Sequence, residues 1–282
     1  MLFVILASAA TGLCTGVGSL PFFVVERLPR RVYDTVLGFG AGLMLSAATL
    51  GLLAQALLAV RSDGQLNPGQ LLLVLLGFAA GFVILFTVEH LIPHEHAGGH
   101  HEHLREGAHF HDGDHDGDHD GDVTPDAAHE AAQVRHGVLI SGALIFHRLP
   151  EGFAIGASFA TGETRPLGML VAISVALQNV CEGLVMSAPL RRGGVSSLRA
   201  LFLTTATGLT VPVTAVMGYL FAQAIVGAMP FALALAAGSL IGVTSNEIIP
   251  ETHSHGNEAS ATLGIVAGFM LTIVMRVGLG ID

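Results

Sequence analysis

Two pairs of residues stand out by type and spacing. In the segment FHRLPEGFAIGASF, His147 and Glu151 are four residues apart, which on a helix puts them on one face, a turn apart. In LQNVCEGLVMSAPL, Gln178 and Glu182 repeat that spacing, and each glutamate is followed by a glycine, Gly152 and Gly183. One imidazole with two carboxylates suits zinc and other divalent ions of borderline softness. Both pairs sit in long apolar runs, where an ionisable side chain costs about 2.5 kcal/mol or more unless it is paired, hydrated or bound to an ion. A lone His–Glu pair is readable as a hydrogen-bonded packing device. The second copy on the next helix favours a hydrated cation path, since the cation supplies the missing counter-charge. Pro150 adds a backbone acceptor: it has no N–H, so the carbonyl of Phe146 beside His147 loses its helical donor.

The elements that hold these residues must lie in lipid. Apolar residues make up 51% of the 282 and charged residues 12%, against roughly 25% charged in soluble domains. Mean hydropathy is +0.66. A water-facing surface cannot be built from so little charge. Eight apolar segments reach the length of about 20 residues that a membrane helix needs: roughly 2–25, 34–60, 70–93, 137–160, 167–189, 198–222, 225–250 and 260–280. The expected fold class is therefore an all-α integral membrane protein, a bundle of eight transmembrane helices with both termini outside. Residues 1–93 hold spans one to three, 94–136 a loop, and 137–282 spans four to eight. The start, Met1-Leu2-Phe3-Val4, has no positive n-region and reads as a retained first span. Cys14 and Cys181 fall inside spans and are expected to be reduced and unlinked.

The loop 94–136 differs in kind. Between Glu95 and Glu130 lie 11 of the 22 acidic residues, and between positions 90 and 136 lie 12 of the 15 histidines. His94, His96, His100, His101, His103 and His109 precede the repeat HDGDHDGDHDGD, which adds His111, His115 and His119. Such a composition buries no apolar surface, so the loop is expected to be disordered without a ligand and to capture metal. Orientation follows from arginine. Arg27, Arg30, Arg31, Arg105, Arg135, Arg191, Arg192 and Arg199 lie in alternate connections, against Arg61, Arg165 and Arg276 on the other side. That bias puts the His-rich loop in the cytoplasm. No basic cluster suggests a nucleic-acid surface.

These residues resemble the ZIP (zinc- and iron-permease-like) family of metal transporters. The resemblance spans nearly the whole chain: eight spans, a His-rich loop after the third, HRLPEG in the fourth, QNVCEG in the fifth and NEIIPETH ending the seventh. It implies a main metal site of Met44, His147, Glu151, Gln178 and Glu182. It also implies an exit path past Asn246 and Glu247, with Glu89, His90, Glu251 and His253 nearer the cytoplasm. Transport by alternating access is implied as well.

The sequence departs from the family at three positions. Many members carry Asn after the fourth-span His, Asp after the fifth-span Gln and Glu before the sixth-span Pro, completing a second metal site. Here those positions hold Arg148, Asn179 and Val211. Arg148 either snorkels toward an interface or fills the space of the second ion with its permanent charge. The second reading is favoured, giving a single-metal site tuned by Arg148 and Asn179.

The expected function is transport of a divalent metal, zinc foremost, into the cytoplasm across the cell (inner or plasma) membrane. A non-transporting metal buffer or sensor is the competing class, and it leaves the intramembrane glutamates unexplained. A metalloprotease would need H-E-x-x-H, and ATP coupling a G-x-x-x-x-G-K-[ST] loop; the chain has neither. No cofactor is expected, zinc or a related cation being the substrate. The expected partners are zinc, cadmium, iron and manganese ions, the lipid bilayer and a second copy of the chain in a homodimer, with no nucleic acid.

Overall fold

The computed structural model describes residues 1–25, 28–58, 60–62, 65–91, 148–160, 165–224 and 229–281. Helix α1 (Leu2–Ser19) ends in a 3-10 turn, Leu20–Phe23. Helix α2 (Arg30–Ser46) runs through a π-helical stretch, Ala47–Leu53, into α3 (Ala54–Leu58). A hairpin of β1 (Arg61–Ser62) and β2 (Gln65–Leu66) leads to α4 (Pro68–Leu91). After it come α5 (148–159), α6 (Arg165–Arg192), α7 (Ser197–Gly208) and α8 (Thr210–Ala224). Helix α9 (Met229–Val243) continues through a second π-helical stretch, Thr244–Ile248, into α10 (Ile249–Thr252), and α11 (Glu258–Gly278) closes the chain.

Among the described residues, 7 helical stretches are long and apolar enough to cross a membrane. Of the fourth expected span, 137–160, only α5 and Ala160 are described. Three details differ from the expected plain spans and turns. The connection after α3 contains a two-residue antiparallel ladder, Arg61 opposite Leu66 and Ser62 opposite Gln65. The sixth span breaks at Leu209, because Pro212 has no N–H for the Gly208 carbonyl. The seventh widens before Pro250, which likewise cannot serve the Asn246 carbonyl; there the Ile249 N–H reaches back to the Thr244 carbonyl.

Glycine sets which helices pair. A Cβ on Gly42 would run into the Ile265 carbonyl, and one on Gly268 into the Phe39 carbonyl, so α2 and α11 touch backbone to backbone. Helices α4 and α9 do the same at Gly81 and Gly238, α1 and α7 at Gly12 and Gly208, and α5 and α8 at Gly156 and Gly218. Gly183 brings α6 against the Thr15 carbonyl of α1. With α7 and α8 in one span, and with the stretch Ala47–Leu53 packed on α9 and Met44 bonded to Thr244, these pairs join into two groups, α1 with α5–α8, and α2–α4 with α9–α11. Between them α2 faces α6, and there the contacts change character. A Cβ on Gly40 would lie 3.5 Å from the Cys181 Cβ, and one on Gly51 3.8 Å from a Val171 methyl, ordinary van der Waals distances to side chains.

At one end of α2 the buried carboxylate of Asp34 is held by the connection between α10 and α11. His255 Nδ1 lies 3.0 Å from its Oδ1, and Asn257 donates to its Oδ2 at 2.8 Å. Gly256 between them has φ of +77°, a conformation costly for other residues.

Candidate metal site within the membrane

Glu151 of α5 and Gln178 and Glu182 of α6 meet inside the bundle, all three buried. The Gln178 Nε2 group donates to Glu151 Oε1 at 2.7 Å and to Glu182 Oε1 at 2.8 Å. One carboxamide thus bridges two carboxylates on neighbouring helices. The glycine after each glutamate explains how the helices come close enough. A Cβ on Gly152 would meet the Val211 carbonyl and the Thr214 hydroxyl of α8, just as one on Gly183 would meet α1. Each Glu-Gly step therefore couples a ligand-type side chain to the close packing that fixes its helix.

Arg148 reaches the same place from the first described turn of α5. Its Nη1 donates to Thr15 Oγ1 at 2.9 Å and to Asn179 Oδ1 at 3.2 Å, and its Nη2 to Glu182 Oε2 at 3.1 Å. Asn179 in turn donates to the Thr11 carbonyl at 2.9 Å. Arg148 is 0% exposed, so it turns into the bundle and does not extend to an interface. Glu182 has both oxygens occupied. Among the described residues, Glu151 Oε2 and Arg148 Nε are buried without a hydrogen-bond partner. The described side chains thus set one guanidinium against two carboxylates in a setting with no water-like screening.

Met44 lies one turn beyond Gly40 on the α2 face that meets Gln178 and Cys181. Its Sδ accepts the Thr244 hydroxyl at 2.6 Å, tying α2 to the π-helical stretch after α9. Val211 is buried beside Gly152. His147 lies outside the described residues, as do the loop histidines His94 to His119. Glu89 and His90 fall in the last turn of α4, and no side-chain geometry is described for them. Asn246 is exposed and Glu247 half-buried in the second π-helical stretch. Farther along, His253 Nδ1 meets Thr252 Oγ1 at 2.8 Å and the Ile249 carbonyl at 3.0 Å, while Glu251 Oε1 is 3.9 Å from His255 Nε2. No described hydrogen bond joins these four residues to the carboxylate pair. Among the described residues, no three His, Cys, Asp or Glu side chains are grouped to hold an ion by themselves.

Thr15 and Thr244 escaped the reading of the sequence. Thr15 belongs to a buried polar stripe on α1, Ser8, Thr11, Thr15 and Ser19, whose three- and four-residue spacing was the available signal. Thr244 carries no such pattern.

The sequence model described as ZIP zinc transporter matches residues 1–276. The chain belongs to the ZIP zinc transporter family. Zinc transporter GufA of Myxococcus xanthus is 33% identical over 276 residues, covering 98% of each chain. Zinc transporter ZIPB of Bordetella bronchiseptica is 34% identical over 278 residues, 99% of this chain and 82% of that protein. Zinc transporter ZupT of Chlorobium chlorochromatii is 26% identical over 277 residues, 97% and 96% of the two chains. Like the fold, the ZIP match makes this a multi-pass membrane protein of a transporter family, with the bridged carboxylates at the heart of its bundle.

Proposed function

We propose that the chain carries divalent metal, zinc foremost, across the cell membrane into the cytoplasm. The observation that supports this most is the convergence of Glu151, Gln178 and Glu182 within an apolar bundle of a family whose relatives are named zinc transporters. A cation entering between the carboxylates displaces the amide hydrogens of Gln178. The same carboxamide, turned over, offers Oε1 to the ion. His147 supplies the imidazole, and Met44 approaches from α2 as a soft ligand. The guanidinium of Arg148 takes the place of a second ion, so the path holds one metal at a time.

The division into two helix groups supports alternating access. Backbone contacts at glycine join helix pairs within each group, while at Gly40 and Gly51 the second span meets α6 through side chains. Movement of one group past the other opens the site to either side in turn. Eight spans with both termini outside agree with Arg30, Arg31, Arg191, Arg192 and Arg199 at the ends of α2, α6 and α7. The His-rich loop then faces the cytoplasm and captures arriving metal, with Asn246, Glu247, Glu251 and His253, and Glu89 and His90, along the way.

Purified protein in sealed proteoliposomes, given zinc, cadmium, iron or manganese with and without a pH gradient, tests the proposal. Zinc uptake above that of protein-free vesicles is expected. Tight binding of zinc with no uptake of any ion would leave a buffer or sensor instead.

A further inference from the structure

Ser174 breaks a rule that the other buried hydroxyls obey. In a membrane helix a serine or threonine ordinarily donates to a carbonyl three or four residues back, which satisfies its hydrogen without a neighbour. Ser8, Ser46, Ser158, Ser187 and Thr204 all do so. Ser174 Oγ is buried, at 1% exposure of the residue, and has no hydrogen-bond partner among the described residues. An unpaired buried hydroxyl is costly to keep in an apolar bundle, whereas alanine would fill the same space at no such cost.

Its position suggests what it serves. Ser174, Gln178 and Glu182 follow one another at four-residue steps on α6 and share a face. On the opposing second span, Gly40 of α2 abuts Gln178 and Gly51 of the π-helical stretch abuts Val171. Ser174 lies between those two levels in sequence, opposite the part of the second span that holds Met44 and the small buried residues Ala47 and Ala48. Gln178, one turn along α6 from it, donates to Glu151, whose Oε2 likewise has no hydrogen-bond partner among the described residues.

We propose that Ser174 is a specificity-determining residue of the transport path, offering a neutral oxygen to the cation, directly or through a retained water, on the Arg165 side of the carboxylates. This rests on the metal site proposed above. A hydroxyl is a hard ligand, so it favours manganese, iron and zinc over cadmium.

The experiment measures uptake KM and Vmax for zinc, manganese and cadmium in proteoliposomes of the full chain carrying Ser174→Ala, Ser174→Cys or Glu151→Ala. Ser174→Ala is expected to raise KM for zinc and manganese by about three- to tenfold, the worth of one hydrogen-bond-strength contact, with cadmium changed least. Ser174→Cys should lower the cadmium KM relative to manganese. Thermal melting of Ser174→Ala in detergent is expected to match or exceed wild type, because no partner is lost. Unchanged KM values in Ser174→Ala and Ser174→Cys, beside loss of flux in Glu151→Ala, would overturn the role of Ser174 alone. Full flux in Glu151→Ala would overturn the underlying site as well. A fall in melting temperature with all three KM values raised equally would make Ser174 a packing residue and overturn the proposal.

Discussion

At the scale of single residues, Arg148 and Glu182 depend on each other. Taking one partner from a buried pair leaves an uncompensated charge, a loss of about 3–5 kcal/mol. Arg148→Ala should therefore melt well below wild type in metal-free detergent, and zinc should return part of the loss by binding the folded state. Equal melting without metal would show that the pair contributes little. The triple change Arg148→Asn, Asn179→Asp and Val211→Glu restores oxygen ligands at the three departing positions. It should bind one more ion than the parent when titrated calorimetrically with residues 97–130 deleted from both, and an unchanged count would contradict the single-metal reading. The repeated Glu-Gly pairs were legible because four-residue spacing maps directly onto a helix face. The contacts of Arg148 were not. Thr15 lies 133 positions away in sequence, and a threonine in a glycine-rich span reads as ordinary helix packing. Ser174 was hidden for a different reason, since its lack of a partner is a property of the packed bundle.

At the scale of elements, hydropathy located the seven spans found among the described residues because lipid imposes length and apolarity on every one of them. It could not show where they bend. Pro212 and Pro250 each free a single carbonyl, too small a change to register in a twenty-residue average, yet they account for the break at Leu209 and the widening at Thr244–Ile248. The widening that follows Met44 has no proline near it; there the Arg276 guanidinium of α11 donates to the Leu50 carbonyl inside the stretch. Glycine carries the pairing of helices, and its effect is testable position by position. Gly42→Ala forces a methyl onto the Ile265 carbonyl, an overpacking cost of about 1–3 kcal/mol. Gly40→Ala, two residues away, places its methyl at ordinary contact distance from Cys181 and Gln178. Thermal unfolding should therefore fall clearly for Gly42→Ala and hardly at all for Gly40→Ala. A reversed order would undo the division into two internally locked groups.

At the scale of the whole molecule, the sequence joins the buried carboxylates of the proposed ion site to a loop of opposite character. The histidines and aspartates of 94–136 are suited to weak, multiple binding in water, whereas the bundle holds its carboxylates in lipid. The two are expected to be separable, so deletion of residues 97–130 should leave measurable zinc flux while altering its regulation or the metal retained. Loss of all flux from a folded deletion variant would place the loop in the conduction path. The central claim, that metal crosses the membrane between Glu151 and Glu182, is tested most directly by zinc uptake into proteoliposomes of the double variant Glu151→Ala/Glu182→Ala. Uptake at the level of protein-free vesicles, from protein that inserts and reconstitutes like wild type, is the expected result. Near-normal zinc uptake by that variant would contradict the account.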